Sequence, residues 1–209
     1  DVSGNAKLFK GKPGHIDASE AIEALEVPSG NVDGSMGDIH IYGNPHYWLN
    51  PYNGILIAKK IAKALKNLDP ENNVFYDENY RAFEKKMHQK INDWKKTISP
   101  LKGTACITYH KTWTYFLDAF DLKSVGHLEP LPGIPPSAKH IAKLKQTFPN
   151  YKKRLVLTAS YYPKKPGMMF AKTTQSMFYH LPTNVGSKQI KSYEGLFDYL
   201  VKQLSAQKN

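Results

Sequence analysis

Residues 76–99 read YDENYRAFEKKMHQKINDWKKTIS, the most regular apolar pattern in the chain. Large apolar side chains recur there every three or four residues and so line one face of a helix. The pattern predicts a helix from about Pro70 or Asp77 to about Ser99, where Pro100 follows. About 25 residues at ~1.5 Å each give a rod of ~38 Å, long enough to join two lobes. A coiled-coil dimer is the alternative, but three heptads beside α/β sequence favour a helix packed within one molecule. The stripe comprises Tyr76, Tyr80, Phe83, Met87, Ile91, Trp94 and Ile98.

Downstream of this helix, short apolar runs alternate with helical patterns. Strands are predicted at 104–109, 122–128, 154–159 and 177–181. Helices are predicted at 113–120 and 166–176 and after the caps Ser137 and Ser192. Such alternation predicts a parallel sheet covered by helices. The sequence therefore indicates an α/β lobe at residues 101–209, preceded by a linking helix at 70–100.

Upstream of the long helix, Asn50-Pro51 has the pattern of a helix start, an Asn cap with Pro at the first helical position. An apolar stripe then continues to about Lys66. Residues 1–36 are rich in Gly, Pro, Ser and Asn and show one helical patch, around 18–25. We therefore predict that residues 1–69 form the remaining part of an N-terminal lobe.

Composition argues against two classes of protein, nucleic-acid-binding modules and membrane-spanning chains. The formal charge is +11, but the lysines are scattered rather than gathered with aromatics, which favours a solvated basic surface over a nucleic-acid module. No apolar run approaches the ~20 residues that a membrane helix needs. The single cysteine, Cys106, forms no disulfide within the chain and lies in an apolar run, so we expect it to be buried.

Two histidines, His40 and His46, lie six positions apart among turn-forming Gly, Asn and Pro residues. Imidazoles on a stiff, partly apolar loop suit a borderline-soft divalent metal. A packed turn with two hydrogen-bonded histidines is the alternative interpretation.

A second group of polar residues follows the predicted strands. His110 comes directly after the first strand, Glu129 closes the second, and Tyr161 follows the third. Because ligands bind at the carboxyl ends of parallel strands, we expect these residues to share one rim, facing His46 across a cleft. A Glu129 that only bonds backbone N–H groups is the alternative. A zinc hydrolase with Asp38 or Glu129 as general base is a further one, although no nucleophile elbow, phosphate loop or His-Glu-x-x-His helix occurs.

Three motifs occur in the order found in a known family: residues 44–51 (NPHYWLNP), 108–113 (TYHKTW) and 128–137 (LEPLPGIPPS). With them the chain resembles the zinc- and manganese-binding solute receptors of ABC transporters, the TroA-like group (cluster A-I). The resemblance implies two lobes with parallel sheets joined by one long rigid helix. It also implies a protein that is not an enzyme. Such receptors carry one metal ion to a membrane permease and are periplasmic, or extracytoplasmic and lipid-anchored. A monomer that binds no nucleic acid is expected.

By resemblance, His46 is the metal ligand of the N-terminal lobe and His110 that of the C-terminal lobe. An early histidine of the family has no counterpart, so the first part of the N-terminal lobe is expected to be absent. The acidic ligand expected after residues 154–159 is also missing, which leaves His40 or Glu129 as candidate replacements. Histidine ligands favour Zn²⁺ over Mn²⁺ and imply binding that weakens as pH falls toward about 6.5. A receptor-like protein with a degraded site that binds another ligand or partner is the alternative function.

Overall fold

The computed structural model of the chain describes residues 4–30 and 40–206. Helix α1 (Pro51–Leu68) begins where the sequence predicts, because the Asn50 side chain accepts a hydrogen bond from the Tyr52 N–H at 2.9 Å. The helical patch predicted around residues 18–25 is wrong beyond a single 3₁₀ turn, Ala18–Ala21. Within residues 4–30 and 40–50, the chain forms 3₁₀ turns and loops and no strand.

The long helix is confirmed. Helix α2 (Asn73–Thr97) has 25 residues, follows a 3₁₀ turn at Pro70–Asn72 and ends just before another at Ser99–Leu101. Its buried residues are Met87, Ile91 and Trp94, and the Trp94 ring stacks on Phe197 with centroids 5.2 Å apart. The apolar stripe is thus buried inside this molecule, at least over its C-terminal half, as the intramolecular interpretation predicts.

Helices α1 and α2 pack antiparallel. Near one end of the pair, Lys66 Nζ lies 3.2 Å from the carboxylate of Asp77. Near the other end, Lys95 Nζ lies 5.3 Å from the centre of the Tyr52 ring. The pair therefore forms one wall of the molecule.

The predicted parallel sheet is confirmed. It has four strands in the order β2-β1-β3-β4, and every pairing is parallel. The strands are β1 (Ala105–Thr108), β2 (Lys123–His127), β3 (Arg154–Ala159) and β4 (Met177–Leu181). The helices between and after them are α3 (Thr114–Ala119), α4 (Ala138–Thr147), α5 (Lys164–Thr174) and α6 (Tyr193–Ala206).

The sheet is covered on both faces. Leu155 and Leu157 of β3 join one apolar cluster with residues of α1, α2, α3 and α6, whereas Val156 joins another with residues of α4 and α5. Alternate residues of a strand point to opposite faces, so each face of β3 has its own core. Cys106 is fully buried, as expected, and burial raises the pKa of its thiol to about 12.

The described residues contain one sheet, although the resemblance implies two. Leu49 and Ile55, before and within α1, belong to the same core cluster as Phe116 and Phe197 of the sheet lobe. The N-terminal residues and α2 thus pack directly against the sheet lobe in this structure. The division into 1–69, 70–100 and 101–209 stays a prediction.

Candidate metal centre

The loop that carries His46 is held by side chains on both sides. The Asn44 Oδ1 accepts a hydrogen bond from the His46 N–H at 2.9 Å. Gly43 has a φ of +97°, and a Cβ there would lie 2.8 Å from the Leu25 carbonyl oxygen, so only glycine fits. The Trp48 Nε1–H donates to the Thr183 carbonyl at 2.8 Å. These contacts fix the backbone through which His46 enters the pocket.

His46 faces His110 across this pocket. The ring centroids lie 5.8 Å apart and the ring planes are nearly perpendicular, at 89°. Burial, followed by the charges of His110 and His40, lowers the pKa of His46 to about 4. Its Nδ1 is buried and meets no hydrogen-bond partner within residues 4–30 and 40–206. The structure therefore offers a neutral imidazole with one unsatisfied nitrogen.

His110 is oriented by Glu129, which comes from the neighbouring strand end. The His110 Nδ1 lies 2.8 Å from Glu129 Oε2, and the Glu129 side chain is only 8% exposed. Because a carboxylate accepts, Nδ1 carries the proton and the lone pair of Nε2 is left for another partner. Thr108 Oγ1 donates to the His110 carbonyl at 2.7 Å and fixes the backbone. Direct ligation by Glu129 stays a prediction; its observed contacts are with His110 and, as the alternative interpretation expects, with a backbone N–H, that of Gly133 at 3.4 Å.

Tyr161, the third residue predicted at this rim, lies there on the loop after β3. The Tyr161 hydroxyl lies 3.1 Å from Thr112 Oγ1. The Tyr162 ring stacks on Tyr109, with centroids 4.6 Å apart, and lies 5.8 Å from the His110 ring. Aromatic rings thus occupy the edge where the acidic ligand was expected.

The pocket between these residues has a volume of about 40 Å³. About 10–15 Å³ of such space admits one water molecule, so the pocket has room for an ion together with water. His46 and His110 line it together with His40, Glu26 and Lys111. His40 is exposed at the pocket rim. Asp38, considered above as a general base, lies outside the described residues.

Glu26 was missed by the sequence analysis. Its Oε2 accepts a hydrogen bond from Asn44 Nδ2 at 3.1 Å and lies 3.6 Å from Lys111 Nζ. Its Oε1 accepts from Thr114 Oγ1 at 3.3 Å. No motif or spacing marks this residue, since its partners are distant in sequence and its φ of +55° is one that glutamate rarely adopts.

No three His, Cys, Asp or Glu side chains within residues 4–30 and 40–206 stand close enough to hold one ion together. The two central histidines are in place, while Glu26 and His40 lie at the margin of the pocket. A third ligand would have to move inward when an ion binds.

Three other histidines have structural partners. His127 Nδ1 lies 2.8 Å from Thr108 Oγ1, and burial lowers the pKa of His127 to about 4. His140 Nε2 contacts the His127 carbonyl at 2.8 Å. His180 Nδ1 contacts Thr158 Oγ1, also at 2.8 Å. These bonds give all three histidines structural roles away from the metal pocket lining.

None of the helices in the described part of the chain is both long and apolar enough to cross a membrane.

Comparison with known proteins adds independent observations. A family model described as ZnuA, zinc-uptake complex component A, periplasmic, matches residues 3–207. The chain is 31% identical over 99 residues to the high-affinity zinc uptake system protein ZnuA of Brucella abortus (strain 2308), covering 47% of this chain and 30% of that protein. It is 31% identical over 149 residues to the manganese ABC transporter substrate-binding lipoprotein PsaA of Streptococcus pneumoniae, covering 68% of this chain and 46% of that protein. The matches thus span less than half the length of these relatives.

A solved crystal structure of ZnuA matches with a TM-score of 0.72 at 22% identity. The match covers 91% of this chain and 69% of that chain. At this identity the likeness establishes the fold, an α/β architecture with a parallel sheet and a long helix.

Proposed function

This chain belongs to the ZnuA family of periplasmic zinc-uptake components, and on that premise we propose that it binds a divalent metal ion, zinc, for delivery to an ABC importer. The family is one of transport components, so the hydrolase alternative is set aside. The proposed partner is the membrane permease of the transporter. The chain works outside the cytoplasm, as do the lipoprotein and periplasmic relatives.

The observation that carries this proposal is the pairing of His46 with His110. His46 Nδ1 is buried and meets no hydrogen-bond partner among the described residues, a state that costs about 1–3 kcal/mol and is typical of a ring held in place for a ligand. The lowered pKa of His46 favours the same role, since protons do not compete for this nitrogen until the pH approaches about 4.

Glu129 has a positioning role in this proposal. A carboxylate bonded to the far nitrogen of a ligating histidine fixes its tautomer and raises its basicity, and such partners are common behind metal ligands. Imidazole ligands favour Zn²⁺, whereas Mn²⁺ prefers carboxylate and water. The chain therefore binds Zn²⁺ more tightly than Mn²⁺, with His40 a further candidate ligand.

We further propose that the receptor acts as a monomer and has no nucleic-acid role. The C-terminal half of the strongest apolar stripe is buried inside the same molecule, where Trp94 stacks on Phe197 of α6, so that half is not available to a second copy. The positive charge is dispersed over the chain rather than gathered in one module.

Calorimetric titration of metal-free protein with Zn²⁺ tests the proposal. His46→Ala and His110→Ala should each weaken binding by more than tenfold, since even the loss of a residue behind a ligand costs about 10- to 100-fold. His88→Ala, on the exposed side of α2, is the matched control and should bind as the unmodified protein does. Unchanged affinity in the His46→Ala, His110→Ala double variant would refute the site.

One observation favours a second function, a receptor-like protein whose metal site has decayed. No three potential ligands converge within the described residues. On that alternative, elemental analysis after zinc loading and desalting finds no stoichiometric metal. About one zinc per chain would exclude it.

A further inference from the structure

We infer that Glu26 supplies the carboxylate this metal site needs, and that Lys111 holds this carboxylate until the ion displaces it. The inference rests on the proposed function and adds a ligand and an exchange step to it. Metal binding is then a substitution at one carboxylate, in which an ammonium group leaves and a dication enters. The affinity of the site becomes a balance between the ion and Lys111.

The first support is where Glu26 lies. Its segment is tied to the histidine loop, because the Asn44 N–H donates to the Leu25 carbonyl at 2.8 Å. The buried Tyr115 hydroxyl accepts from the Leu25 N–H at 2.9 Å and donates to the Asn44 carbonyl at 3.0 Å. Glu26 therefore lies at the pocket as a fixed neighbour of the loop that presents His46.

The second support is how loosely the carboxylate is held. In the described part of the chain it contacts Asn44, Lys111 and Thr114, at 3.1, 3.6 and 3.3 Å. Charge-assisted hydrogen bonds to a firmly held carboxylate are usually shorter, about 2.7–2.9 Å. A carboxylate offers about four lone-pair positions, so Glu26 retains acceptor capacity for an ion.

The third support is the charge balance. Two neutral imidazoles do nothing to offset a dication, whereas Glu26 removes one of its two charges. The other carboxylate at the rim, Glu129, is already bonded to His110 Nδ1 and accepts from the Gly133 N–H at 3.4 Å. Within the described residues, Glu26 is thus the carboxylate that lines the pocket, and the cation beside it, the Lys111 ammonium, can move away.

Lys111 is able to leave. Its side chain is 42% exposed, so its ammonium can move into water when a dication arrives. The backbone carbonyl of Lys111, which accepts from Asn44 Nδ2 at 2.8 Å, stays in place during this exchange. The lysine therefore acts as a competitor for Glu26 and does not support the loop with its side chain.

Four variants test the exchange by titration with Zn²⁺ and Mn²⁺. Glu26→Gln keeps an acceptor for Asn44 and Thr114 but loses the charge, and should weaken Zn²⁺ binding about tenfold or more. Mn²⁺ binding should fall further, because Mn²⁺ depends more on carboxylate ligands. Lys111→Met should tighten Zn²⁺ binding by roughly three- to tenfold at low salt and less at high salt. Glu23→Gln and Lys143→Met, both exposed positions away from the pocket lining, are the matched controls.

The double variant, Glu26→Gln with Lys111→Met, distinguishes competition between Lys111 and the ion for Glu26 from direct repulsion of the ion by Lys111. If Lys111 acts through Glu26, its removal should have almost no effect once Glu26 is neutral. An equal gain in both backgrounds would overturn the exchange. Thermal melts of each metal-free variant show that the fold is kept, and Lys111→Met remains informative if Glu26→Gln does not fold.

Failure of the inference is distinct from failure of the proposed function. If Glu26→Gln binds Zn²⁺ within twofold of the unmodified protein while His46→Ala and His110→Ala lose binding, the inference is overturned and the function stands. If the unmodified protein does not bind Zn²⁺ or Mn²⁺, both are overturned. Weaker binding by Lys111→Met also overturns the exchange.

Discussion

The variant Tyr115→Phe removes one buried hydroxyl group and should destabilise the loops that line the metal pocket. Tyr115 is 1% exposed, and its hydroxyl bridges the Leu25 N–H and the Asn44 carbonyl at 2.9 and 3.0 Å. Phenylalanine fills the same space but leaves both backbone groups without this partner. An unpaired buried polar group costs about 1–3 kcal/mol. Leu25 is only half-buried, so water can satisfy part of its loss, and we expect a destabilisation of about 2–4 kcal/mol in total.

Urea unfolding of the metal-free protein, followed by tryptophan fluorescence, measures this free energy. Tyr151→Phe is the control, because its ring is 41% exposed and exposed substitutions usually change stability by less than about 0.5 kcal/mol. Zn²⁺ affinity should fall as well, since the Tyr115 hydroxyl holds the Leu25 backbone and thereby places Glu26 at the pocket. A Tyr115→Phe protein as stable as the Tyr151→Phe control would refute this account of the bridge.

Three further results are expected. Glu129→Gln should weaken Zn²⁺ binding about 10- to 100-fold in calorimetry by removing the carboxylate behind His110, and unchanged affinity would refute its positioning role. Gly54→Ala should destabilise the protein by ~1–3 kcal/mol in urea unfolding, because the new Cβ would collide with the Tyr193 ring. Ala in place of Gly normally stabilises a helix, so a more stable protein would contradict this prediction. Stability should fall as pH drops from about 6.5 toward 4, because the folded pKa of His46 and of His127 is about 4 and the unfolded chain binds the extra protons. Each histidine contributes at most ~3 kcal/mol to that loss, and His127→Gln should show a shallower loss than the unmodified protein in urea unfolding at pH 7.5 and 4.5.

The sequence predicted the elements whose stabilisation is local or periodic. Helix α2 was placed within a few residues because one face of it is buried along its C-terminal half and Pro100 follows its end. Strands β3 and β4 were placed at their observed bounds because each is a short apolar run between polar segments. The patch at 18–25 failed for a tertiary reason: Leu25 bonds to Tyr115 and Asn44, and these distant partners replace helical hydrogen bonds.

The residues of the site also differ in whether the sequence predicts them. The sequence predicts that His110 and Glu129 share one rim because both follow strands of a parallel sheet, whereas their direct hydrogen bond depends on β1 and β2 being neighbours, which the structure shows. Glu26 could not be found, since it reaches the pocket through a left-handed backbone conformation and bonds to residues 18 and 88 positions away. Neither its conformation nor these pairings leaves a periodic signal.

Tyr115 is linked to the site through Glu26 and through the His46 loop, and a double variant distinguishes these two routes. If Tyr115 affects metal binding by placing Glu26, its loss should matter only while Glu26 is charged. The Zn²⁺ affinities of Tyr115→Phe, Glu26→Gln and the double variant should therefore be non-additive, with the double variant close to Glu26→Gln alone. Additive losses in calorimetry would mean that Tyr115 acts on His46 through Asn44 and not on the carboxylate.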